Sequence, residues 1–396
     1  MRTEGSVSHL GFLVASLESC STLPPMSAQP QLPRPAPGPN AAQQLVLLGA
    51  ASAHLRMLAE LAAHRLPQTQ VTLVAAQPHT IAGTWVPGFV AGHTRLENCS
   101  IALKPLAERS GVRWMPLGVV RLEATKKTVH LSDGSNLGYD WLSIAHGPTC
   151  NRDNVERALP GAREHALFVH PVEPFAALWP RVATLGDQRP LRIAVLGHDA
   201  QAFQIAMAVR HRLPHAAVTL LCGAALPVAD FPPPVRHQLL DVLKNRHVTV
   251  LQEQALAIHS DTVALGCGAS LACDVVLLAD RATSPAWLAH SDLALDANND
   301  LLTDASLRST SHGQVFGIRT TKEAPSGLEA LLVRNVRAAM VGKPMRSAIA
   351  RSTPVQLLSC GDRSAIAAWG AYSAQGRWVW WLKNWLECRR MTRYLG

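Results

Sequence analysis

Apolar residues along this chain change rhythm in a recognisable order. From Leu45 the run "LVLLG" is almost continuously apolar, a helical period follows to about His64, and "QVTLVAA" is a second apolar run. Runs of that length joined by a helical stretch predict strand, tight turn, helix, strand. Strands without polar alternation belong to a parallel sheet covered on both faces. A loop rich in Gly and Pro, "QPHTIAGTWVPGFVAGHTRLENCSI", leads to a helix in "LKPLAERSG" and then to short strands with a hairpin turn at Asp133-Gly134.

The order restarts near Leu191. "LRIAVLGHDAQAFQIAMAVRHRL" again predicts strand, turn and helix, and "AAVTLLCG" a second strand. Short strands, a hairpin and a closing strand follow as before. A unit repeated in this way predicts an α/β chain with two Rossmann-like, doubly wound nucleotide domains.

Composition narrows the chemistry. With 396 residues and 48% apolar content, the chain has material for more than one core. Lys and Arg exceed Asp and Glu, 37 to 28, for a net charge of +9. The excess suits phosphates or anionic lipid, but no basic run interleaved with aromatics marks a nucleic-acid binder. The eight cysteines form no C-x-x-C or C-x4-C pair, so they read as reduced thiols of a cytoplasmic protein. The 17 histidines form no H-E-x-x-H motif, and no metal is expected. The N-terminal "HLGFLVASLES" is a poor signal peptide, and the Pro-rich segment after it is expected to be disordered, with Met26 as an alternative start. No stretch approaches the ~20 apolar residues of a membrane span.

Four stretches carry a family resemblance. "LVLLGAASAH", "GTWVPGFVAGH", "SDLALDANNDLLTDASLRSTSHGQVFG" and "LLSCGDRSAIAAWG" with "GRWVWWLKNWLECRRM" resemble the FAD-dependent pyridine nucleotide-disulfide oxidoreductases, in the branch related to type II NADH dehydrogenases and selenophosphate-synthetase-associated oxidoreductases. The resemblance implies FAD in the first domain, NAD(P)H in the second, and hydride passed through flavin to an acceptor such as a quinone. It places Gly49, Ala51, Ser52, Gln77, the Ala145-His146-Gly147 turn and the strand end Gly317, Arg319, Thr320 at FAD, and Gly197 and Asp199 at NAD(P)H. No side chain stands out as an acid–base catalyst. The implied boundaries are a disordered 1–43, a FAD-type domain in 44–150 and 286–345, a NAD(P)-type domain in 151–285, and an amphipathic cap in 346–396.

The motifs depart from their usual form. The first turn has Ala51 and His54 where G-x-G-x-x-G has its second and third glycines. Ser52 is expected to cap the following helix. No acid follows the second strand, where Gln77 is a weaker ribose anchor. In the second turn, Asp199 is expected to cap its own helix and to repel an incoming phosphate. In "VFGIRTT", Arg319 and Thr320 stand where related enzymes have Gly-Asp. Two functions therefore stay open: an FAD-dependent NAD(P)H oxidoreductase, or a binding or regulatory module that has lost its cofactor motifs.

The tail "GRWVWWLKNWLECRRMTRY" puts Trp378, Trp381 and Trp385 on one helical face, with Arg389 and Arg390 nearby. Such a face suits a peripheral site on the inner surface of the cell membrane, or packing against the protein's own body. The sequence is also compatible with a homodimer.

Overall fold

The structure, a computed structural model, describes residues 42–147, 149–279, 283–318, 327–348 and 355–395. The N-terminal segment with Met26, and Arg319 and Thr320, lie outside the described residues.

Two five-stranded parallel sheets carry the chain. The first has the strand order Val315–Gly317, Trp141–Ile144, Gln43–Leu48, Thr69–Val74, Arg113–Met115. The second has the order Ala166–Phe168, Val275–Leu278, Arg192–Leu196, Ala217–Leu221, Val248–Leu251. Each central strand is followed by a tight turn and a helix, Ser52–Ala63 in one and Ala200–Arg212 in the other. Each sheet also has a three-stranded antiparallel partner, one built on Val119–Glu123 and the other on Ala255–Ile258. The repeat seen in the apolar pattern is thus a repeat of topology. The second sheet takes its edge strand, Ala166–Phe168, from before Leu191, whereas the first takes its own, Val315–Gly317, from far along the chain.

The core strands are apolar on both faces because helices cover both faces. Leu45, Val46, Leu47 and Leu48 are all buried, and they divide between two core clusters on opposite sides of the sheet.

The C-terminal region is a three-stranded antiparallel sheet, Gln356–Ser359, Ala365–Trp369 and Tyr372–Gly376, followed by the helix Arg377–Leu395. Leu358, Cys360, Ile366 and Ala368 join the core of the second sheet. Met391 and Tyr394, at the end of the helix, join the core of the first. The cap therefore fastens both halves together. The short helix Val86–Val90, from the Gly- and Pro-rich loop of the first half, does the same from the other direction, since Val86 and Val90 sit in the second core.

Candidate nucleotide sites

The parallel register brings the expected residues of the first site to one edge. Leu48 pairs with Val74 and with Ile144, and Ile144 pairs with Gly317. The turn after Leu48, the loop after Val74 and the Ala145-His146-Gly147 turn therefore leave the sheet side by side at its carboxyl end. That edge is where nucleotides bind in open parallel sheets.

Gly49 makes the turn. Its φ is +88°, and a Cβ there would lie 2.5 Å from the His146 Cα and 2.6 Å from the Ala145 carbonyl oxygen. Only glycine fits. Ala51 is the N-cap residue of helix Ser52–Ala63 and donates its own amide to the Ala145 carbonyl at 3.0 Å. Ser52 does not cap the helix, contrary to expectation. It is already the first helical residue, and no side chain caps this helix at all. Helix geometry then leaves the Ser52 and Ala53 amides without intrahelical partners, ahead of the first bonds from His54 and Leu55 to Ala51. An alanine at the cap, which as sequence looks like a loss, keeps this turn open to an anion.

His54 locks the turn from below. It is fully buried, with Nδ1 2.6 Å from the Gly49 carbonyl oxygen and Nε2 2.8 Å from Ser143 Oγ. Burial pushes its pKa down to about 4, with the Gly49 carbonyl opposing and His146 adding to the shift. The ring is neutral: Nδ1–H donates to Gly49 and Nε2 accepts from Ser143. A glycine here could not make either bond. His146 is also buried, and burial lowers its pKa while its Nδ1 lies 3.0 Å from the Gly147 carbonyl and its ring meets Trp287 edge-on.

Gln77 is exposed on the loop after the second strand. Gly317 is close-packed rather than open, since a Cβ there would lie 2.6 Å from Leu301 and 3.0 Å from the Ile144 carbonyl.

The second turn differs in one decisive atom. Asp199 is the N-cap of helix Ala200–Arg212, and its Oδ1 accepts from the amides of Gln201 at 3.0 Å and Ala202 at 2.9 Å. The first turn has open amides, and the second has filled them with its own carboxylate. The loop beyond the strand closes in as well: the Val228 amide donates to the His198 carbonyl, and Val228 and Phe231 are buried in the core.

Several residues of these sites were not found from sequence. His170, at the carboxyl end of the second sheet, places Nε2 2.8 Å from Gln201 Oε1. Glu173 reaches across to the Ile81 amide of the first half at 3.4 Å, and burial raises its pKa. Lys383 and Glu387 form a buried ion pair on the C-terminal helix, and Lys383 donates to the Thr84 carbonyl at 3.2 Å. The pair lines a small cavity with His93, Trp380 and Ser359, between this helix and the Gly83–Trp85 turn. The Lys383–Glu387 pair has the i, i+4 spacing that a helix brings together, but the contacts of His170 with Gln201, Glu173 with Ile81 and Lys383 with Thr84 join segments distant in sequence and leave no local pattern.

The pyridine nucleotide-disulphide oxidoreductase family matches residues 43–318, more than half of the chain. The chain belongs to this family. Its members are FAD-dependent and use NAD(P)H. Among solved structures, the chain is similar to the sulfide:quinone oxidoreductase of Aquifex aeolicus, at 16% identity and TM-score 0.72 over 89% of this chain and 91% of that one. It is also similar to NDH2 from Plasmodium falciparum in complex with NADH, at 11% identity and TM-score 0.68 over 89% and 98%. A NAD-dependent persulfide reductase from A. fulgidus matches at 15% identity and TM-score 0.67 over 82% and 63%. These likenesses establish a shared fold.

The disulphide of the family name has no counterpart among the described residues. Burial raises the thiols of Cys99, Cys222, Cys273 and Cys360 to about 11. Thiols so protonated are poor nucleophiles at neutral pH. The residues of the first turn fit a dinucleotide pyrophosphate, because the Gly49 bend and the open amides form the cradle it needs. Those of the second turn do not fit one while Asp199 holds Gln201 and Ala202.

Proposed function

We propose that this chain is an FAD-dependent NAD(P)H oxidoreductase delivering reducing equivalents to a small-molecule acceptor of the quinone type. The observation that carries this reading is the uncapped turn at Gly49–Ala53, built and braced as a phosphate cradle although its second glycine is gone. In this reading 44–150 and 286–345 hold FAD, and 151–285 forms the NAD(P)-type domain. Bound FAD would accept hydride and pass electrons singly or in pairs. The chain's own residues would do the holding. Ser52 and Ala53 would donate amides to the pyrophosphate, Gln77 would lie toward a ribose, and Ala145, His146 and Gly147 would face the cofactor.

The acceptor side of the reading rests on the C-terminal helix. Trp378, Trp381 and Trp385 are 59%, 64% and 43% exposed, so the tryptophan stripe points outward and not into the protein's body. Trp369, Tyr372 and Leu386 add further exposed apolar surface. Arg377, Arg389, Arg390 and Arg393 are exposed on the same helix, and the Arg389 guanidinium lies over the Trp385 ring at 5.2 Å. Tryptophan with arginine suits the headgroup layer of an anionic bilayer. No helix among the described residues is long and apolar enough to cross a membrane. We place the protein peripherally on the inner membrane face, where a lipid-soluble acceptor is concentrated.

A second reading, a binding or regulatory module without turnover, is favoured by one observation, the filled amides at Asp199. Purified protein separates the two. Protein with flavin absorbance that bleaches under NADH without oxygen, re-oxidises with a soluble quinone and floats with anionic vesicles supports the oxidoreductase. Protein that keeps no flavin after reconstitution contradicts it.

A further inference from the structure

Two independent features meet at the turn after the second central strand. The first is the Asp199 carboxylate, which bonds both leading amides of helix Ala200–Arg212. A pyrophosphate at a helix N-terminus needs those amides and the field they carry. The second feature is His170. It is only 3% exposed, and its Nε2 meets the Gln201 side-chain oxygen, so Nε2 carries the proton. Its Nδ1 is then a bare acceptor, and it has no hydrogen-bond partner. A buried acceptor left unpaired is destabilising, a cost that folding alone does not demand of this position. His170 and Asp199 address the same residue, Gln201, one through its side chain and the other through its backbone.

A decayed site would have no reason to keep an unpaired polar atom buried beside its turn. A site with an absent guest would. We propose that the second nucleotide site is latched rather than lost: Asp199 occupies the pyrophosphate position as a resident anion, and a nicotinamide dinucleotide binds by displacing it and donating an N–H to His170 Nδ1. The inference rests on the oxidoreductase reading and adds to it the residue that sets the affinity for the hydride donor. Displacement is local. It requires the Asp199 carboxylate to leave the Gln201 and Ala202 amides, which lie beyond the paired strand residues Leu196 and Leu221. A carboxylate facing a phosphate at contact distance and intermediate dielectric opposes binding by an amount worth roughly ten-fold or more in affinity.

The test is equilibrium binding of NADH and of ADP-ribose to the purified full chain, followed by nicotinamide fluorescence and by titration calorimetry. Neither readout needs turnover. Asp199→Gly is expected to tighten both ligands by roughly ten-fold or more. Asp199→Asn, which still caps the helix, is expected to give a smaller gain because it removes charge and keeps the amides filled. In the Asp199→Gly background, His170→Phe is expected to lose several-fold for NADH, because the ring nitrogen is gone. Unchanged or weaker binding by both Asp199 variants overturns the proposal, as does a His170→Phe double variant that binds NADH as tightly as its parent. Flavin content, read separately from absorbance, distinguishes the two failures: a flavin-bearing protein with Asp199 variants that gain nothing refutes the latch alone, whereas a chain that takes up no flavin refutes the reading beneath it.

Discussion

Gly49 and His54 show how single residues decide what the first turn is. Gly49 was legible in sequence, because a bend between an apolar strand and a helix asks for it. His54 was not. As sequence it is a missing third glycine; in the fold it is a buried brace between the Gly49 carbonyl and Ser143. Its neutrality has a consequence for stability. The folded-state pKa lies near 4 against 6.5 for an ordinary histidine, so between these values the unfolded chain binds a proton that the folded chain refuses. Stability is unaffected by His54 above pH 6.5 and falls as pH drops from there toward 4, by about 3 kcal/mol in all. Buried His146 and His170 are shifted the same way and act in the same sense. Urea midpoints between pH 7.5 and 4.5 are the check. His54→Gln, which bonds without titrating, is expected to lower stability at neutral pH yet flatten the acid slope. An unaltered slope in that variant would place the acid sensitivity elsewhere.

At the scale of elements, the two turn helices share topology and differ in their caps. The strand–turn–helix order and the Asp199 cap could be read from apolar runs and a carboxylate before a helix. The open first cap could not, because Ser52 looked like the capping residue until the structure put Ala51 in that place. The C-terminal helix teaches a similar lesson. Its tryptophans fall on one face at helical spacing, but spacing does not say which face turns inward. The inward face is Val379, Lys383, Glu387, Met391 and Tyr394, with an ion pair where aliphatic residues would be usual. A buried pair is costly to break and cheap to replace whole. Lys383→Met removes the ammonium that bonds both Glu387 and the Thr84 carbonyl and is expected to cost about 3–5 kcal/mol. Adding Glu387→Leu should restore most of that loss. Thermal melts of the two variants decide it, and a double variant no more stable than the single one would mean that the pair holds the helix by more than mutual neutralisation.

For the whole molecule, the duplicated sheet was legible because parallel strands covered on both faces leave long apolar runs that no other element imitates. How the halves are joined was not legible. Val86 and Val90 cross into the second core, Met391 and Tyr394 return to the first, and Glu173 reaches Ile81. Such contacts depend on tertiary placement and leave no periodic trace. They tie the two halves together at several separate points. The central claim is that the first turn still holds FAD. Its most direct measurement is the stoichiometry and affinity of FAD for the purified, flavin-stripped chain, read from quenching of flavin fluorescence beside the Gly49→Ala variant. The account predicts one FAD per chain, with binding lost in Gly49→Ala because the added methyl meets His146 and Ala145. Saturating FAD that leaves the fluorescence of free flavin unchanged, or a Gly49→Ala chain that binds as the natural one does, would contradict it.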